Sequence, residues 1–587
     1  MAHPDSGKPG FTLRAVFIAI GLSLFLLASS TYIAIKLGAL PWPIVFSVIV
    51  SGGALKILSG SRKLNLHEVN VAQAGGSVGG LVAAGIAFTV PGIIFLNQTR
   101  GLEIAWPNPW TLGILTALAG LLGVLLSMPL KYTFIDREQL PYPAGTAGAE
   151  LLKLGDTGGR RLWLIVMVGA AAGVFALLRD VFFPAGFTFA ALTAAGIYLT
   201  LNPMPLALAG GYILGPRASL SWLGGAAIGW LALIPLLVQD GLEFASAKSL
   251  AQNLGMGMVL GAGIGFLAGY VLPRAGTIFA PVFKSRKGFG RLFPLLSALG
   301  AGGLLLSGVP LGAAVLAVLG VWMMVAVAAR MTGETNIDPL EQFGIFVGLV
   351  IAFIYNIASL ELSMYASFMI VTFVSVACAI AGDAGHDYKS ADIVGTRFFD
   401  VVKVDLIAVI FAGLAAPFVM ETIRSGLGNE LFTPAMPAPQ AQLVAGSIFG
   451  FEYPRVFLAG FGIAFVLEIL NTLLPQRARN RVLIMPLGIG LFLGMGLAIP
   501  IALGSLVRAY IDKKRTHLYH AVLLIAAGVM GGEGIAGFSA GALTTAGLSF
   551  RSGALALAAL FAVILSTALF FYARKPGPGE GKDRGVH

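Results

Sequence analysis

Apolar residues run along this chain in blocks of about twenty, separated by short polar stretches, and a helix needs roughly 20 apolar residues to cross a bilayer. Seventeen such runs can be marked: about 11–35, 38–59, 76–97, 109–132, 161–182, 186–212, 217–238 and 253–272 in the first half, then 290–308, 310–330, 341–360, 362–381, 400–422, 452–474, 483–510, 517–546 and 551–573 in the second. Two runs are interrupted by helix breakers. One is Asn202-Pro-Met-Pro-Leu-Ala-Leu-Ala-Gly-Gly-Tyr-Ile-Leu-Gly-Pro216; its echo is Met485-Pro-Leu-Gly-Ile-Gly-Leu-Phe-Leu-Gly-Met-Gly-Leu-Ala-Ile-Pro500. Pro removes a backbone donor and Gly frees the backbone, so an unbroken membrane helix is costly there. Irregular backbone at membrane depth survives only where protein or a water-filled cavity satisfies it. The pattern predicts an all-α polytopic integral membrane protein of about 16 transmembrane helices. Its Pro/Gly-broken segments would be split or re-entrant. Two such segments at corresponding places in two halves point to a transporter's substrate site.

Composition agrees with that reading. Of 587 residues, 57% are hydrophobic and 11% charged, with mean hydropathy +0.88; a soluble domain carries about 25% charged residues. The 78 glycines suit close helix–helix approach in lipid. A net charge of +11 would suggest nucleic acid in a soluble chain, but here the basic residues cluster between apolar runs, as topology demands. Lys56, Arg62 and Lys63 follow the second run; Lys131, Arg137, Lys153, Arg160 and Arg161 follow the fourth; Arg274, Lys284, Arg286, Lys287 and Arg291 follow the eighth. A cytoplasmic N-terminus places all three clusters inside the cell, in the cell membrane's inner loops. Arg477, Arg479 and Arg481 precede run 483–510 while Lys513, Lys514 and Arg515 follow it, so that run should fold back or split. The single Cys378 excludes an intramolecular disulfide and a Cys-based zinc site.

The order of runs suggests duplication: a first half at 1–273, a basic cytoplasmic linker at 274–291, a second half at 292–573 and a disordered tail at 574–587. Pro141-Tyr-Pro143 precedes run 161–182 as Pro437-Ala-Pro439 precedes run 452–474. Whether the repeats are parallel or inverted stays open, as does a homodimer.

Ionisable residues inside the membrane are functional candidates because an unpaired charge there costs several kcal/mol. Glu533 sits among glycines in Met530-Gly-Gly-Glu-Gly534, Glu468 lies inside run 452–474, and Glu361 divides two runs. Each could carry a coupling proton or simply pair with a cation. Asn70, Gln73 and Ser77 lie about one helical turn apart and share a face; they would bind substrate or join helices. Tyr142-Pro-Ala-Gly-Thr-Ala-Gly-Ala-Glu150 reads as an unwound entry to a helix. Two polar stretches, Arg330–Pro339 and Gly382–Thr396, read as loops; the second gathers Asp383, His386, Asp387 and Asp392, but at no metal-ligand spacing, and is expected to gate or couple. Gly537-Phe-Ser-Ala-Gly541 lacks the strand–turn–helix setting of a nucleophile elbow, and no Walker loop occurs. No catalytic residue, metal site or cofactor is expected, although a membrane enzyme acting on a lipid-linked substrate remains the rival from another class.

The chain resembles the oligopeptide transporter (OPT) family, which includes the yellow-stripe-like metal-chelate transporters. The resemblance rests on Thr31-Tyr-Ile-Ala-Ile-Lys36, Asn70–Ser77, Tyr142–Glu150, Gly211-Tyr-Ile-Leu-Gly-Pro-Arg217, Gly333-Glu-Thr-Asn336, Asp387–Thr396, Met485-Pro-Leu-Gly-Ile-Gly-Leu491 and Gly532-Glu533. It departs where the family often has Tyr-Leu-Pro, here Leu491-Phe-Leu-Gly, and where it often has Gln-Thr, here Gln73-Ala74. The resemblance implies a proton-coupled symporter of small peptides, or alternatively of metal–chelate complexes. Substrate-binding candidates are Asn70, Gln73, Tyr142, Met204, Tyr212, Asn336 and Met485. Proton-coupling candidates are Glu533, Glu468 and Glu334.

Overall fold

The computed structural model describes residues 7–38, 40, 44–59, 64–153, 160–183, 186–189, 192, 199–274, 276, 292–336, 338, 340–433, 436–474 and 483–574. It is built of helices: α1 (Leu13–Leu37), α2 (Ile44–Ser59), α3 (Leu66–Ala87), α4 (Pro91–Arg100), α5 (Pro109–Lys131), α6 (Pro143–Lys153), α7 (Arg160–Phe182), α8 (Pro205–Leu214), α9 (Pro216–Ala227), α10 (Ile234–Gln239) and α11 (Phe244–Phe266). The series continues with α12 (Leu292–Leu306), α13 (Leu311–Thr335), α14 (Leu340–Ile357), α15 (Met364–Val394), α16 (Phe398–Leu427), α17 (Pro439–Phe449), α18 (Pro454–Leu473), α19 (Ile484–Leu493), α20 (Met495–Lys514), α21 (Tyr519–Thr545) and α22 (Phe550–Arg574). Among the described residues, 14 helical spans are long and apolar enough to cross a membrane, close to the number expected from the apolar runs. The chain is a polytopic membrane protein.

Local chemistry starts and stops these helices. Thr12, Asn65, Asn108 and Ser363 accept first-turn N–H groups as N-caps. Between helices, glycine sets the approach: a Cβ on Gly532 of α21 would collide with the Gly169 carbonyl of α7. In lipid, where apolar burial drives little, such backbone contact replaces the hydrophobic effect.

Two expectations are corrected. Run 186–212 is not a spanning helix: Phe187–Thr188 pairs antiparallel with Thr200–Leu201, and only Pro205–Leu214 is helical after it. Pro203 and Pro205 deny the backbone the donors a continuous helix needs. The stretch at 382–394 is no loop but the last third of α15, largely buried. Arg62, Lys63, Lys284, Arg286, Lys287, Arg291, Arg477, Arg479 and Arg481 lie outside the described residues, as do most of the 274–291 linker and the tail from 575.

The order of long and short helices from α1 to α11 recurs from α13 to α21. α1, α2, α3 and α5 stand opposite α13, α14, α15 and α16; α6 and α7 stand opposite α17 and α18; the split pair α8–α9 stands opposite α19–α20. α12 and α22 fall outside the series. Both split pairs break at a glycine with nearly the same backbone angles, Gly215 at φ 81°, ψ 172° and Gly494 at φ 81°, ψ −171°. That region is essentially closed to residues with a Cβ.

The split helices pack on each other reciprocally. Gly211 lies on the Ile501 backbone and Gly490 on that of Trp222; Gly225 lies on Leu487 and Gly504 on Leu208. Counted from its own hinge glycine, each residue of one pair has its counterpart in the other, so the contacts interchange. A second reciprocal contact joins the short helices to the opposite series. Tyr142, at φ 40°, precedes α6 and donates its N–H to Gly333 O of α13 at 2.9 Å; Ala438, at φ 41°, precedes α17 and donates to Ile35 O of α1 at 2.9 Å. α1 and α13 both end on left-handed caps, Gly38 and Asn336.

Candidate functional site

Where the split helices meet the ends of α1 and α13, a cavity of about 440 Å³ opens. One wall is the first split pair, with Leu214, Arg217 and Trp222; the facing wall is the second, with Met485, Pro486 and Ile489. α3 closes it with apolar Leu81, Ala84 and Phe88, and α11 with Gly263.

The polar lining is uneven in charge. Glu334, Asp338, Glu341 and Glu468 reach the cavity, against Arg217 as its one cation among the described residues. Glu334 is held by Arg330 at 3.1 Å, and Arg330 also reaches Glu138 at 2.7 Å. Asn471 donates to Glu468 at 3.4 Å. Both oxygens of Asp338 and one of Glu341 are without a hydrogen-bond partner among the described residues. Gln440 lines the opposite side and donates to Gly38 O at 2.9 Å.

Of the residues singled out from sequence, Met485, Asn336, Glu334 and Glu468 line this cavity. Asn336 has a second task, since its Oδ1 accepts the Ala144 N–H at 3.1 Å at the start of α6. Tyr142 is buried away from the cavity, donating its hydroxyl to Ala329 O at 2.8 Å and standing edge-on to His386. Burial pushes its phenol above the ordinary value, so it remains a donor. Tyr212 points to the far side of the hinge, donating to Tyr519 O at 3.2 Å beside Arg508. Met204 caps α8 outside the cavity. Glu361 sits in the exposed turn between α14 and α15.

Glu533 is fully buried and fully engaged. Its Oε1 accepts Arg179 Nη1 at 2.9 Å, with Lys36 Nζ at 3.9 Å, and its Oε2 accepts the Leu206 N–H at 2.8 Å. Arg179 and Lys36 also face Asp180, at 2.7 and 3.6 Å, so two cations balance two carboxylates. This cluster pins the positive end of α8 to α21 and α7. Its chemistry is that of an anchor for the first split helix.

Asn70, Gln73 and Ser77 turn away from the cavity toward α15. Asn70 donates to Thr396 at 3.1 Å and accepts from Ser390 at 2.8 Å; Gln73 donates to Asp387 at 3.1 Å; Ser77 lies 2.8 Å from Asp383 and 3.4 Å from Asp387. His386 accepts the Gly145 N–H on Nδ1 at 3.1 Å, which ties α6 to α15. Asp392 is half-exposed near Lys131. Sequence reasoning missed Arg217, Asp338, Glu341, Gln440 and Asp405. Asp405 met the criterion that singled out Glu533, an acid within an apolar run, here run 400–422.

With this geometry in hand, comparison with known proteins gives two matches. The pattern of one family, described as OPT oligopeptide transporter protein, matches residues 10–282 and 292–544. A Haemophilus influenzae protein named as an oligopeptide transporter is 27% identical over 209 residues, which is 35% of this chain and 32% of that protein. The chain thus spans about a third of the length of the curated relative it matches.

Proposed function

Because this chain belongs to the OPT oligopeptide transporter family, we propose that it is a secondary carrier moving small peptides across a membrane, driven by protons. The observation that carries this reading is the cavity of about 440 Å³ held between two helices broken at matching glycines. Its volume falls in the range of small-ligand sites, roughly 300–1,000 Å³. Its charges suit a zwitterion. A peptide's terminal ammonium would lie against Glu334, Asp338, Glu341 and Glu468, and its terminal carboxylate against Arg217, which can bind both oxygens at once. Met485, Trp222 and Phe88 would cover the side chains. Carriers of this build place substrate where duplicated halves meet and rock one against the other. The reciprocal contacts of the split helices support such a duplication, with the halves at 1–273 and 292–573. The excess of carboxylates also suits a cationic metal chelate, which is the second reading. In both, the protein sits in the cell membrane with its N-terminus in the cytoplasm.

The test is uptake into proteoliposomes of a labelled panel of di- to tetrapeptides and of siderophore-like metal chelates, with and without an inside-alkaline pH gradient. Peptide accumulation that follows the gradient supports the reading; chelate accumulation alone transfers it to the second. Arg217→Gln, which removes the cavity's one cation among the described residues, should abolish peptide uptake and leave thermal unfolding in detergent near wild type. Unchanged uptake would place the substrate elsewhere.

A further inference from the structure

Resting on the proton-driven reading above, we propose that the coupling proton is held by Asp383, Asp387 and Asp405, a buried carboxylate cluster where α3, α15 and α16 meet, and that it reaches the substrate cavity through Asp338. All three cluster residues are at most 1% exposed. Their charges lie close enough to act on one another. None has a cation within ion-pair distance among the described residues.

The donors around the cluster are too few. Three carboxylates face one hydroxyl, Ser77, and one side-chain amide, Gln73. The Ser77 hydroxyl carries a single proton and also lies 2.8 Å from Ala74 O. Among the described residues Asp405 has no partner on either oxygen, and Asp383 has none on Oδ1. Buried polar groups are nearly always paired, and an orphan marks a place where water, an ion or a proton belongs. Uncompensated charge in this setting costs so much that a carboxyl takes a proton instead. No group of three or more His, Cys, Asp or Glu side chains among the described residues is arranged to hold a metal ion. That favours a proton over a bound cation.

Several charged and titratable groups on the surrounding elements are engaged elsewhere, while Glu341 of α14 keeps one oxygen without a partner among the described residues. On α3, Glu68 is bound by Arg14 and Thr12. On α13, Arg330 holds Glu138 and Glu334. On α5, Lys131 is taken by Asp136, while Ser127 meets the Tyr388 hydroxyl at 3.1 Å. On α15 itself, His386 spends Nδ1 on Gly145, and Lys389 makes no ion pair with the cluster. On α16, Asp400 accepts the Gly10 N–H at 2.8 Å, and Lys403 lies over the Phe11 ring.

A route to substrate is built in. Asp338 lines the cavity, and its Oδ2 and the Thr332 hydroxyl occupy the space that a Cβ on Gly382 would need. Only glycine at 382 lets Asp338 lie against the chain one residue from Asp383, and the two charges act on each other. A proton entering from the cavity can bind Asp338, pass to Asp383, and settle on Asp387 or Asp405. The step consists of protonation and release at carboxylate oxygens, with no other reactant. Coupling then requires that cavity occupancy and cluster protonation favour the same conformation.

The experiment uses the full chain with Asp383→Asn, Asp387→Asn and Asp405→Asn, since Asn mimics the protonated acid at nearly equal volume. Two measurements are made. The first is uptake of the peptide panel in proteoliposomes under a pH gradient, under a sodium gradient, and as exchange at equal pH. The second is an infrared titration of the buried protonated-carboxyl band in the purified protein, which needs no substrate. The expected result is that the variants fold, keep exchange, lose pH-driven accumulation by about ten-fold or more, and lose part of the infrared band. Glu533→Gln should not change that band. Accumulation near wild type in all three variants overturns the proposal, as does failure of all three to fold, a sodium-driven wild type, or a wild type without the band. A wild type that shows the band but accumulates no peptide overturns the carrier reading and leaves the proton site standing.

Discussion

At the scale of single residues, the contrast between two kinds of buried acid organises the protein. Glu533 is surrounded by Arg179, Lys36 and the Leu206 N–H, whereas Asp405 is buried with no partner on either oxygen among the described residues. Burial alone therefore does not separate a paired acid from an unpaired one; the partner set does. Removing one member of a buried ion pair leaves the other charge uncompensated, at a cost of about 3–5 kcal/mol. Glu533→Gln should accordingly lower the thermal midpoint in detergent strongly, because Arg179 and Lys36 would then share Asp180 alone. The double variant Glu533→Gln/Arg179→Gln should regain part of the loss, since the pair interacts directly. A single variant as stable as wild type that has lost only gradient-driven uptake would instead make Glu533 the coupling group. The sequence could find Glu533 because one acid stood in an apolar run. It could not find the cations, because Lys36 and Arg179 lie in other runs and only the fold brings them together.

At the scale of elements, the hinge glycines carry the argument. The prolines drew attention to both broken segments, but the prolines do not make the breaks. Pro205 and Pro216 sit at helix starts, where the missing N–H is harmless, and Pro500 is accommodated inside α20. The chain turns at Gly215 and Gly494, in a backbone region that costs other residues about 1–3 kcal/mol. Gly215→Ala should pay that strain alone, since nothing lies within 4 Å of where its Cβ would be. Gly494→Ala should cost more, because the Trp230 ring already occupies the space. Thermal unfolding should rank wild type above Gly215→Ala and that above Gly494→Ala; equal midpoints would show that the hinge geometry is dispensable. The misread elements have a common cause. The last third of α15 looked like a loop because Asp383, His386 and Asp387 read as solvated. Their surroundings are Ser77, Gln73 and the Gly145 N–H, contributed by helices distant in sequence. Polarity along a helix can be satisfied by other helices, and a hydropathy pattern does not record which.

At the scale of the whole molecule, the reciprocal contacts imply that neither series of helices is complete without the other. The entry to α6 is fixed by Gly333 and Asn336 of the second series, and the entry to α17 by Ile35 and Gly38 of the first. α11 packs along α18, and α21 along α7, again across the divide. Each broken helix packs against parts of both series, so a rearrangement of one split pair bears on the other. The arrangement also has a consequence for assembly. At the glycines between α8–α9 and α19–α20 the contacts are backbone against backbone, which lipid cannot replace. Either series made alone would expose them, and the second alone would also expose the carboxylates of α15 and α16 that face α3. Cutting the chain between residues 276 and 292 should therefore give two fragments that are each degraded or aggregated when expressed singly. Expressed together, they should co-purify as one species with the thermal midpoint near that of the intact chain. The measurement is pull-down of an untagged fragment by its tagged partner, followed by unfolding in detergent. A fragment 1–276 that is monodisperse and stable alone would refute the interlock and make the halves independent domains.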